Sequence, residues 1–220
     1  MEASMDRGRK KTDNPFRRAL AVVQENRRAY ITFNAAYYGF VIAAMIYVAF
    51  NPEVQQQLLA TVSESFSRGA LSIARQAYEE SRVLPAILAT FLINLLLGSL
   101  AQLSLPSLLI PFSGLLVGFY RALMWGLLLS PASPELALPM LPHSITLILE
   151  GQAYVLVMLA IYSHGKAFLF PRSVGAGNHR NGYLEGLKQH GYLYVLVTLL
   201  LLIAAVYEAL EVIYLVPLLV

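Results

Sequence analysis

The stretch LLLLIAAVYEALEVIYL (residues 199–215) is almost wholly apolar, yet it carries Glu208 and Glu211. An apolar helix that keeps acids in its middle is either the core of a soluble domain or a membrane span with an internal partner. Composition decides between them. Hydrophobic residues make up 57% of the 220 residues and charged residues 13%, and the mean hydropathy is +0.59. Ordinary globular domains carry roughly 25% charged residues. Apolar runs of about twenty residues recur along the chain, the length that crosses a bilayer. The chain therefore reads as an all-α, polytopic helical membrane protein, with about five transmembrane helices plus amphipathic interfacial helices.

Working outward from that stretch, the spans are expected over residues 29–50, 83–103, 105–129, 143–170 and 191–217, in a single transmembrane domain of residues 29–220. Residues 1–28 read as a basic cytoplasmic tail followed by a short amphipathic helix on the membrane surface. Asn14 is its expected cap and Pro15 lies in its first turn. Residues 53–82 repeat Val54, Leu58 and Val62 at helical spacing between Gln, Ser and Glu. They form an extracytoplasmic amphipathic segment, broken near Gly69 and too polar to span. Pro106 and Pro111 fall in the first half of the third span, where either can break the helix. The loop 171–182 is Gly-rich and polar. The first apolar run starts too late and is too long for a cleavable signal peptide.

Half of the sixteen Lys and Arg precede the first span: Arg7, Arg9, Lys10, Lys11, Arg17, Arg18, Arg27 and Arg28. Lys166, Arg172, Arg180 and Lys188 surround the last loop, and the loop 130–142 has none. The bias of cationic loops toward the cytoplasm places the N-terminus inside and the C-terminus outside. The basic cluster abuts a span, so its expected partner is the lipid bilayer, with no nucleic acid.

This topology assigns depths to the polar residues. Arg121, Glu150 and Glu208 each lie about seven to nine residues from the outer end of their helix, at a rise of about 1.5 Å per residue. They are natural partners, because an unpaired charge in hydrocarbon is expensive. Asn94 and His143 complete the intramembrane polar cluster, and Glu211 is expected to reach outer water. Gly114, Gly118, Ala122 and Gly126 share the Arg121 face, a small-residue stripe that admits a second helix, of this chain or of a homo-oligomer partner. Two uses of the cluster remain open, an ion-pair network that fixes helix register and a proton, ion or substrate site.

With no cysteine, the chain lacks disulfides, thiolate metal sites and thiol nucleophiles. His143 and Glu150, seven apart, match no metal signature, and no Gly-x-Ser-x-Gly or phosphate-binding loop is present. No catalytic residue, cofactor site or metal site is expected.

FLINLLLGSL (residues 91–100), IPFSGLLVGFYRALMWG (110–126), LPHSITLILEGQAYVLVMLAIY (141–162), the Gly-rich loop and the opening stretch resemble, in order, the stage II sporulation protein M family of integral membrane proteins. Asn94, Pro142, His143, Glu150 and the run from Ala204 to Ala209 are the matching positions. Ser144 stands where the family has Gly. The resemblance implies a multi-pass cell-membrane protein of a bacterium or archaeon. It also implies a scaffold or assembly subunit that organises other membrane or extracytoplasmic proteins. A transporter or channel subunit is the competing class.

Overall fold

A computed structural model describes residues 14–66 and 69–219. The polar tail expected over 1–12 lies outside the described residues. All regular structure among those described is helical. Helix α1 (Pro15–Glu25) starts on Asn14, whose side chain accepts a hydrogen bond from the Phe16 amide, with Pro15 in its first turn. Its buried Ala19 and Val22 pack on the last long helix, so α1 is docked against the bundle. Asn26 separates it from α2 (Arg27–Phe50). The amphipathic segment forms α3 (Pro52–Phe66) and α4 (Gly69–Glu79), with Gly69 in the left-handed region at φ 62°.

Helix α5 (Val83–Leu109) is longer than its sequence suggests. It begins as α-helix, becomes π-helical over Ile93–Ser104, and returns to α-helix over Leu105–Leu109. The expected turn at residue 104 is therefore absent. The chain reverses instead at residues 110–112, where Ile110 is extended and Phe112 is left-handed at φ 68°. The cause is Pro111, which forces the residue before it out of helical geometry. Ser107 fastens the reversal: its hydroxyl donates to the Leu103 carbonyl at 2.9 Å and accepts the Gly114 amide at 2.7 Å.

Helix α6 (Ser113–Leu128) follows, then the single turn α7 (Pro134–Ala137), α8 (Met140–Leu169) and α9 (His179–Leu210), which runs on as π-helix over Glu211–Leu215. Helix α9 starts about three turns before the expected span. Asn178 caps it by accepting the Asn181 amide at 2.8 Å. Gly182 and Gly186, read as loop residues, lie one turn apart on its contact face. A methyl group at Gly182 would meet the Ala167 carbonyl, and one at Gly186 the His164 backbone. They are close-approach positions, not breakers.

Helices α2, α5, α8 and α9 are long and apolar enough to cross a membrane. The 16-residue α6 is apolar and about 24 Å long. Helix α8 is the axis of the bundle, and every residue from Ala153 to Ile161 is at most 5% exposed. Its most extensive interface is with α9. The two ends differ in charge. Arg27, Arg28, Lys166, Arg172, Arg180 and Lys188 gather where α2 and α9 start and α8 ends. Helices α3 and α4, the end of α6 and the start of α8 form the other end.

The small-residue stripe is used within the chain. Gly114, Gly118, Ala122 and Gly126 are all buried. A methyl group at Gly114 would meet the Leu103 carbonyl, one at Gly118 the Met158 side chain, and one at Gly126 the Val41 carbonyl of α2. Gly39, by contrast, faces outward on α2 with open space beyond it. Gly126→Ala is expected to lower stability by about 1–3 kcal/mol, through overpacking. Gly39→Ala should be neutral or raise it by a few tenths, through helix propensity. Thermal unfolding of the purified protein in detergent measures both.

Candidate functional site

Asn94 is the hub of the polar centre. Its side-chain amide donates to Glu150 Oε1 at 2.6 Å, and its carbonyl oxygen accepts from Arg121 Nη2 at 3.1 Å and from the Tyr154 hydroxyl at 2.8 Å. The arrangement fixes the amide's orientation, with oxygen toward the two donors and nitrogen toward the carboxylate. The Arg121 guanidinium lies 4.0 Å from the Tyr154 ring centroid and 5.4 Å from that of Trp125. Such stacking contributes about 2 kcal/mol or more where water is excluded. Gly98 makes room, since a methyl group there would meet the Tyr154 hydroxyl and approach Arg121 Nη1.

The expected direct pairing of Arg121 with Glu150 and Glu208 is corrected here. Among the described residues, no carboxylate oxygen lies within 4 Å of the Arg121 nitrogens. Asn94 stands between the guanidinium and Glu150, which is 7% exposed. Glu208 has Glu150 and Tyr78 as neighbours and makes no ion pair with Arg121. Tyr78 reaches in from α4 and shares a 2.8 Å hydrogen bond with Thr90. Burial, then the neighbouring Glu208, pushes its hydroxyl pKa up.

His143 does not join this centre. Its Nδ1 lies 3.0 Å from Glu211 Oε1, and Thr146 donates to Glu211 Oε2 at 2.7 Å. Glu211, expected in water, is 1% exposed. The helix turns it inward where it becomes π-helical, and Tyr207 ties the same junction by donating to the Pro142 carbonyl at 3.1 Å. Both polar centres thus sit on π-helical segments, which are uncommon and recur at functional sites.

Two cavities meet at the ionisable residues. One of about 600 Å³ lies under α4, between α5 and α9, and one of about 370 Å³ lies under α3. Arg121, Glu150 and Glu208 line both, and His143 and Thr146 line the smaller. Helices α3 and α4 are pinned over them. Gln55, 1% exposed, donates to the Leu128 carbonyl at 3.0 Å and the Ser130 carbonyl at 2.9 Å. Below Glu150 the buried run of α8 closes the bundle.

A further polar group links α2 to α8. Gln152 accepts from Tyr30 at 2.8 Å and donates to Asn34 at 2.6 Å and to Tyr38 at 3.1 Å. At the basic end, His164, 1% exposed, packs its ring 4.6 Å from Tyr183 and 6.1 Å from His190. His190 Nε2 and the Tyr194 hydroxyl meet Ser104 Oγ at 3.0 and 2.7 Å. Sequence reasoning did not assign Gln152, His190, Tyr78 or Gln55. Gln152 is two residues past Glu150 on another helix face, and Tyr78 and Gln55 lie on helices read as interfacial.

No protein-family model, curated protein or solved structure matches the chain.

Asn94→Ala removes the donor to Glu150 and the acceptor from Arg121 together. It is expected to cost about 2–4 kcal/mol, because both charged groups lose partners out of water. The half-buried Asn51, whose side chain donates only to the Tyr47 carbonyl one turn back, should tolerate Ala at a cost below about 1 kcal/mol. Unfolding curves of the two variants and the parent make the comparison.

Proposed function

We propose that the chain is a non-enzymatic scaffold or assembly subunit of a bacterial or archaeal cell membrane, as its resemblance to the stage II sporulation protein M family implies. The observation that carries this reading is the fastening of α3 and α4 over the polar centre through Gln55 and Tyr78. Isolated amphipathic helices slide on a membrane surface. These two are held at fixed positions by buried hydrogen bonds, and form a platform for other membrane or extracytoplasmic proteins. In this reading Asn94, Arg121, Glu150 and Glu208 set helix register and hold the platform in place. The charge difference between the ends supports an arrangement with the basic end in the cytoplasm and the platform outside.

One observation favours transport as a second reading: Arg121, Glu150 and Glu208 line both cavities. Against it stands the closed packing of α8 below Glu150. The two readings part on Glu208→Gln, assayed for protein level and for ion or proton flux in reconstituted vesicles. The scaffold reading expects no flux from the parent and a lower level of the variant. Flux that is lost selectively in a normally folded variant overturns it. Separately, a reporter fused after residue 220 should be accessible from outside the cell. Cytoplasmic exposure of that reporter would refute the five-span arrangement.

A further inference from the structure

The cavity of about 600 Å³ has the size of a small-ligand site, with apolar walls and convergent polar groups at its floor. Leu71 and Ala74 of α4, Ile93 and Leu97 of α5, and Val212 of the α9 extension supply the walls. The floor is Asn94, Arg121, Glu150 and Glu208. Its charges do not balance within the protein. The one guanidinium is engaged by Asn94 and stacked against Tyr154 and Trp125. Glu150 is compensated through the same Asn94. Glu208 has neither: no ion pair engages it among the described residues, and the groups beside it are Glu150, Glu211 and Tyr78. At the mouth, Arg75 is taken by Glu79 at 2.7 Å. Among the described residues no cation lies within ion-pair distance of Glu208, although the cavity beside it is open.

We propose that this cavity binds a ligand ammonium group on an apolar body, with Glu208 and Glu150 receiving the ammonium and the α4–α5 walls receiving the body. An anionic ligand is disfavoured by two carboxyl groups at the floor. A purely apolar ligand would leave Glu208 facing it without a partner. Tyr78 lies beside Glu208 and adds an aromatic ring to the wall, a surface that suits a cation. The ammonium has two natural sources, a free amphiphilic amine and the headgroup of a membrane aminolipid. The site stands independently of the scaffold reading, since it requires nothing of a partner protein.

The test uses the full chain in a maltoside detergent, which contains no ammonium. The reporter is Trp125, the chain's single tryptophan, which lines the smaller cavity and stacks against Arg121. The probe is cyclohexylammonium, and cyclohexanol is its uncharged counterpart. A saturable change in Trp125 emission is expected with the ammonium and none with the alcohol. Glu208→Gln should raise the apparent Kd about ten-fold or more. Equal responses to the two probes, no saturable response, or unchanged affinity in Glu208→Gln overturns the proposal. Leu97→Phe narrows the cavity from its outward wall without touching a charge, and should weaken binding several-fold. It keeps the test decisive if Glu208→Gln does not fold, and unchanged affinity in Leu97→Phe also overturns the proposal. Addition of phosphatidylethanolamine then separates the sources. Competition with the probe identifies an aminolipid, and its absence at saturating lipid identifies a free amine.

Discussion

The fold depends on one side chain that carries no charge. Asn94 joins a guanidinium and a carboxylate that do not touch each other. A direct buried ion pair needs good geometry from two long side chains to repay their desolvation. A short amide between them satisfies one donor from Arg121 and one acceptor of Glu150 at fixed distance, and takes the Tyr154 hydroxyl as well. Three helices, α5, α6 and α8, are registered against each other by this one residue. Tyr154 belongs to the run of α8 that is buried on every side, so the hub is continuous with the apolar core.

The hub also bears on the least regular feature of the bundle. Over Ile93–Ser104 the helix is π-helical, and its buried positions become Gly98, Ser99, Leu103 and Ser104. An α-helical reading of the same residues puts Thr90, Asn94, Gly98 and Ala101 on one face. Thr90 and Gly98 are buried as that reading requires, but Ala101 is exposed. The wider turn moves the later contact positions, and it carries the helix past residue 104 to the break that Pro111 imposes. Ser104 is brought inward with them, where it meets His190 and Tyr194. A change of helical register inside an apolar run leaves no mark in hydropathy. The helical class and the apolar stretches were therefore legible in the sequence, which also offered Pro111 as one of two possible breaks but placed the turn between the spans at residue 104.

The polar residues show a similar division. Depth along a helix can be counted from the sequence, and it brought Arg121, Glu150 and Glu208 to one level, where they line the same cavities. Depth does not say which of several carboxyl groups meets which cation. His143 lies seven residues before Glu150 and Glu211 three after Glu208, so the two pairs repeat each other about one to two turns nearer the helix ends. The sequence assigned His143 to the inner set and Glu211 to water. The structure pairs them, because Glu211 lies seven residues past the buried Ala204 and so shares the face of α9 that packs on α8. Gln55 and Tyr78 were hidden for a different reason. A polar residue on an amphipathic helix normally belongs to its wet face, and only the tertiary arrangement shows these two pointing into the bundle.

The two halves of the bundle solve the problem of buried polarity in different ways. At the basic end, Gly182 and Gly186 bring α8 and α9 together, Gly165 makes room for the Phe112 ring, and His164, His190, Tyr183 and Tyr194 fill the seam with ring contacts. Rings supply area and stacking there, and no cavity among those described is lined by either histidine. At the other end Asn94 stands between Arg121 and Glu150, His143 and Thr146 meet Glu211, and space remains beside these groups. Close-packed interiors have few voids of this size. If the polar centre served register alone, Leu or Phe in place of Ala74 or Val212 would close the larger cavity at no cost to any hydrogen bond in it. The short side chains of Ala74 and Val212 at its walls are what keep the carboxyl groups accessible from α4.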